Sequence, residues 1–124
     1  MSDKVIYREL SYQIMQAVFE VHNTLGPGFL EGVYEEALAH ELQMRAIPFY
    51  RQKKVVIHYR QHDVGNHRLD FVVDDAIVLE LKAVSALNDA FKQQTLSYLK
   101  ATGLKLGILI NFGTVRVEYT RFAN

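Results

Sequence analysis

The chain has 124 residues, 14 Lys/Arg against 14 Asp/Glu, and no cysteine. Its length suits one domain with a modest stability margin, so residues 1–124 are expected to form a single unit. The missing cysteines exclude disulfides, thiolate nucleophiles and cysteine-ligated metal centres, and the neutral balance argues against broad, sequence-independent nucleic-acid binding.

No apolar run approaches the length of a membrane span. The opening MSDKVIYREL lacks the apolar core of a secretory signal, so a cytoplasmic protein is expected. Apolar residues at three- and four-residue spacing (Leu10, Ile14, Ala17, Val18, Val21, Leu25) predict an amphipathic helix over residues 9–25, stopped by Gly26-Pro27-Gly28. A second helix is predicted over 31–45, its acidic first turn favoured by the helix dipole. Pro48 precedes a predicted strand over 49–61, and residues 62–66 read as a turn. Strands over 67–73 and 76–81 follow, joined tightly through Asp74-Asp75. A helix over 88–102 begins at an Asn88 or Ser85 cap and ends at Gly103. Two final strands are expected over 105–111 and 115–122. The order α-α-β-β-β-α-β-β implies an α/β (α+β) fold in which helices pack on a mixed sheet. The apolar run at 106–110 fits a strand buried on both faces.

Charge is unevenly distributed. Residues 51–68 hold Arg51, Lys53, Lys54, Arg60 and Arg68 against Asp63 alone, while residues 31–41 hold four glutamates and no Lys or Arg. A neutral total therefore permits a basic face, although a mixed, solvated surface is the plainer reading.

The chemistry concentrates at the Asp75 hairpin. If opposed residues have numbers summing to 150, Asp70 faces Glu80 and Val72 faces Val78. Alternation then puts Asp70, Glu80 and Lys82 on one face. Two opposed carboxylates repel unless something compensates. A hard divalent cation would do so while keeping waters for phosphate oxygens. Lys82 would then reach the scissile phosphate or the attacking water. The alternative is a structural salt-bridge cluster of Lys82 with the two acids. Other signals are weaker: His58 and His62 lie too far apart along one extended strand to share a metal, and no zinc-protease, nucleophile-elbow or phosphate-loop spacing occurs.

Asp70 followed by Glu80-Leu81-Lys82 resembles the signature of the PD-(D/E)XK nuclease superfamily, with Leu69 where that superfamily has a nominal proline. Gln94 and Tyr98 are similar to the Gln-x-x-x-Tyr motif of its RecB-type members. Gly28, Glu31 and Tyr34 match the motif that gives the "GxxExxY" family its name, and the resemblance runs over residues 10–122. It implies a restriction-endonuclease-like αβββαβ core with an extra N-terminal helix and a C-terminal strand. It also implies Mg2+ or Mn2+ held by Asp70, Glu80 and the Leu81 carbonyl, with Lys82, Glu31, Gln94 and Tyr98 completing the catalytic set. His22, Arg68, Lys53 and Lys54 are candidate nucleic-acid contacts. The implied function is metal-dependent DNA phosphodiester hydrolysis. The alternative is a non-catalytic module that keeps the fold and binds nucleic acid or a protein. A homodimer is expected because so small a domain covers little duplex.

Overall fold

The computed structural model describes residues 7–124; residues 1–6, the start of the stretch read for a secretory signal, lie outside the described residues. Helix α1 spans Arg8–Leu25 and buries Ser11, Ile14, Met15, Val18, Val21 and His22, a stripe at the predicted helical spacing. It stops at Gly26, whose φ of 71° suits glycine. Helix α2, Glu31–Met44, buries Tyr34, Leu38, Ala39 and Leu42. The strands are β1 (Phe49–Tyr59), β2 (His62–Val73), β3 (Ile77–Lys82), β4 (Leu106–Asn111) and β5 (Glu118–Ala123), with α3 (Asp89–Thr102) crossing between β3 and β4. Asn88 caps α3 by accepting the Phe91 N–H at 2.8 Å.

The five strands form one mixed sheet in sequential order, antiparallel throughout except for the parallel β3–β4 pair joined by α3. This is the expected α/β architecture. One face packs Phe71, Val73, Ile77, Leu79, Leu81, Ile108 and Ile110 against α1 and α2. The other sets Leu69, Val72 and Val78 against Leu99 of α3. All of β4 is buried, as its unbroken apolar run foretold.

Two boundaries differ from the sequence reading. Residues 62–66 are strand rather than turn: the chain reverses one step earlier, at Arg60 and Gln61, with φ of 48° and 71°. A two-residue turn with both φ positive matches the right-handed strand twist, and the longer ladder it permits offsets strain in two non-glycine residues. An irregularity between Ile57 and His58 absorbs the register change. Strand β5 begins at Glu118 rather than 115, because the chain bends through residues 113–116 and pairs with β4 only from Glu118, opposite Asn111.

Strand β2 also switches face within its length. Leu69 and Val72 pack on the α3 side, whereas Phe71 and Val73 pack on the other. Residues three apart share a strand face only if the alternation is broken between them. The break falls at Asp70, opposite Gln52, which sits at φ 52° and makes no ladder pair.

Candidate active site

The β2–β3 ladder pairs Phe71 with Leu79, Val72 with Val78 and Val73 with Ile77, the register expected from the Asp75 hairpin. Beyond Phe71 the backbone pairing stops and carboxylates take over. Asp70 N–H donates to Glu80 Oε2 at 3.2 Å, and Leu81 N–H donates to Asp70 Oδ2 at 2.8 Å. Each acid therefore caps the other strand's open backbone, which holds the two carboxylates face to face.

They line a cavity of about 100 Å³ together with Glu31, His67, Lys82, Gln94, Thr95 and Tyr98. All six side chains assigned to catalysis from the sequence meet here. Leu81 buries its side chain in the core and contributes backbone to the site.

Burial, then repulsion from Asp70, pushes the Glu80 carboxyl up to about 9. Burial and Asp70 also raise the Glu31 carboxyl. Lys82 relieves this only weakly: its ammonium lies 4.7 Å from the Phe91 ring centroid, and it joins no ion pair within 4.0 Å among the described residues. The salt-bridge cluster weighed from spacing is thus not formed.

His67 is the site residue that sequence reasoning missed. Its Nε2 lies 2.6 Å from Glu80 Oε1, and its ring stacks on Tyr98 at 3.8 Å between centroids. Burial lowers the His67 pKa. Simple alternation puts His67 and Asp70 on opposite faces, and only the break at Asp70 brings both into one cavity. Tyr98 therefore meets the site through the imidazole.

The motif at residues 28–34 has a mechanical basis. Tyr34 is fully buried and stacks on Phe112 at 4.7 Å. Its hydroxyl donates to the Gly26 carbonyl at 2.5 Å and accepts from Phe29 N–H at 3.2 Å. These bonds pin the Gly26–Leu30 loop, and with it the first turn of α2 that carries Glu31. Asn111 does the same for the exit of β3. This buried amide bonds both backbone groups of Val84, the Gly113 N–H and Glu118.

The nucleic-acid candidates are dispersed. His22 is buried and bonds the Thr114 carbonyl at 2.9 Å, away from the cavity. Lys53 and Lys54 lie on β1 beside a separate groove floored by Val55, Leu69 and Val72. Arg68 is exposed and reaches the Gln52 carbonyl. Gln52, unremarked in the sequence, bridges Glu35 at 2.8 Å and Asp70 at 3.3 Å.

The donor set fits a hard divalent cation. Glu80, whose carboxyl is raised by burial and by the facing Asp70, gains from a positive ion placed between the two. The cavity has room for an ion and a few waters at ~30 Å³ each. Among the described residues no three His, Asp or Glu side chains form a complete metal cage.

A family model described as the PD-(D/E)XK nuclease superfamily matches residues 8–122. The chain belongs to that superfamily. Among solved structures, one described as the crystal structure of SSO0001 superimposes with a TM-score of 0.52 at 17% identity, covering 75% of this chain and 49% of that one. The chain thus spans about half that protein, and the likeness supports the restriction-endonuclease-like fold. No curated protein matches. Membership implies nuclease-type chemistry, and no described helix is long and apolar enough to cross a membrane.

Proposed function

We propose that this PD-(D/E)XK nuclease superfamily chain, read as one domain over residues 1–124, is a Mg2+- or Mn2+-dependent deoxyribonuclease of the GxxExxY type. The observation that carries the reading is the facing Asp70–Glu80 pair, its Glu80 buried, with Lys82 in the same cavity and in no ion pair within 4.0 Å among the described residues. Asp70, Glu80 and the Leu81 carbonyl would hold the cation, which when bound would make a coordinated water more acidic and supply charge for a phosphate oxygen.

The remaining work falls to the protein's own groups. Lys82 Nζ, in no ion pair within 4.0 Å among the described residues, is available to a phosphate or to the attacking water. His67 orients Glu80, and Tyr98 fixes the plane of His67 by stacking. Glu31 and Gln94 flank the mouth of the cavity, where they orient water and the substrate backbone. Arg68, Lys53 and Lys54 supply phosphate contacts outside it, and His22 serves the scaffold. We further infer a cytoplasmic location and a homodimer, since one copy covers little duplex.

The test is incubation of the protein with plasmid, single-stranded and branched DNA plus Mg2+ or Mn2+, beside Asp70→Ala and Lys82→Ala. Metal-dependent cleavage lost in both variants supports the reading; cleavage that persists in both belongs to a contaminant. The zero net charge favours a second reading, a binding module without catalysis. Its outcome is DNA binding with no cleavage and no metal uptake by calorimetry. Light scattering decides the dimer.

A further inference from the structure

Strand β3 stops pairing with β2 at Phe71, but the β1–β2 hairpin continues alone. Its ladder runs from Lys53 opposite Leu69 to Tyr59 opposite His62, an arm ~20 Å long at ~3.4 Å per residue. The base rests on α3 through His67 on Tyr98 and through Val55. From His58 to Asn66 every residue is exposed.

The arm is where the positive charge collects. Residues 53–68 carry Lys53, Lys54, Arg60 and Arg68 against Asp63 alone, in a protein of zero net charge. Asp63 is engaged by His58 at 3.1 Å. Lys54 and Arg68 stand directly opposite each other, an arrangement that repels. Neither joins an ion pair within 4.0 Å among the described residues. Arg51, on the body of the sheet, is by contrast neutralised by Glu35 and Glu36 at 2.7 and 2.9 Å. The uncompensated pair also begins beside the carboxylates. Arg68 reaches the Gln52 carbonyl at 3.4 Å, and the Gln52 amide lies 3.3 Å from Asp70.

We propose that the β1–β2 ribbon is a duplex-DNA arm: it enters the major groove of B-form DNA, Lys54 and Arg68 take phosphates of the flanking backbone, and that backbone passes the Asp70–Glu80 cavity. This rests on the nuclease reading and adds the form of the substrate. A major groove ~12 Å wide admits a two-stranded ribbon, whereas a minor groove ~6 Å wide does not. The deep, narrow major groove of A-form RNA excludes it too.

Binding is measured by fluorescence anisotropy in EDTA, where no cleavage occurs, on a DNA duplex, the same sequence as an RNA duplex, and a single strand. The Lys54→Gln/Arg68→Gln double variant removes a repulsion, so its melting temperature stays at or above that of wild type. Wild type should prefer the DNA duplex. The double variant should bind it several-fold more weakly, with a salt slope reduced by about 2, one unit per lost phosphate contact. Lys54→Arg should retain wild-type binding. Duplex affinity and salt slope unchanged in the double variant would overturn the proposal, as would equal binding of RNA duplex or single strand. The two readings separate cleanly. Cleavage by wild type that is indifferent to the arm variants removes the arm and leaves the nuclease. Arm-dependent duplex binding without cleavage under any metal removes the nuclease and leaves the arm.

Discussion

Replacing Glu80 with Gln should stabilise the metal-free protein and abolish its response to metal. Glu80 is 6% exposed, and burial and Asp70 push its carboxyl from 4.5 to about 9. Between those values the folded state holds a proton that the unfolded state has released. A raised carboxyl therefore contributes stability that is full below pH 4.5 and is lost as pH rises toward 9. From pH 5 to pH 8 the loss is at most ~4 kcal/mol, at 1.36 kcal/mol per unit. The glutamine bonds His67 less strongly, so the net gain of Glu80→Gln at pH 8 is roughly 1–3 kcal/mol. For a chain of this size that raises the melting temperature by about 4–12 °C. The assay is thermal unfolding in EDTA at pH 5 and pH 8, then with millimolar Mn2+. The variant should match wild type at pH 5 and exceed it at pH 8. Wild type alone should gain on adding Mn2+, by ~2.7 kcal/mol at a hundredfold excess over Kd. A variant no more stable than wild type in EDTA at pH 8, or one equally stabilised by Mn2+, refutes the reasoning.

Metal affinity of the wild type should strengthen from pH 6 to pH 8, because the raised Glu80 carboxyl must ionise to bind; a pH-independent calorimetric Kd argues against this site. Lys82→Met should abolish cleavage, by 10²-fold or more, while shifting the melting temperature little, since Nζ joins no ion pair within 4.0 Å among the described residues. His67→Phe keeps a ring against Tyr98 but frees Glu80, so metal affinity should fall about 10–100-fold with the fold intact, read by calorimetry beside circular dichroism. Tyr34→Phe loses two hydrogen bonds at the Gly26–Leu30 loop and should cost ~1–3 kcal/mol in denaturant unfolding, with a parallel loss of cleavage as Glu31 loosens.

Much of this molecule follows from local sequence. The periodicity of α1, the all-apolar run of β4 and the Asp74-Asp75 reversal each express a rule that acts within a few residues. For that reason the pairing of Val72 with Val78 could be counted from the turn, and with it the approach of Asp70 to Glu80. The order of elements then carried Gln94 and Tyr98 of α3 to the same place. Turn composition misled at residues 62–66, because a ladder already in register outweighs the turn preference of Asp63, Gly65 and Asn66.

Tertiary structure decided what no short-range rule contains. His67 enters the cavity only because β2 breaks its alternation at Asp70, and that break depends on Gln52 across the sheet and on carboxylates replacing backbone pairs. Asn111 serves the site from 27 residues away in sequence, through both backbone groups of Val84. The charge balance behaves likewise: zero summed over the chain, it separates only when α2 neutralises Arg51 and leaves Lys54 and Arg68 facing each other on the arm. Strand period and turn length act locally, so the sequence alone placed Asp70 opposite Glu80 with Lys82 on the same face. The fold decided which side chains share a cavity, a ring contact or a charge, since those couplings depend on distances between segments remote along the chain.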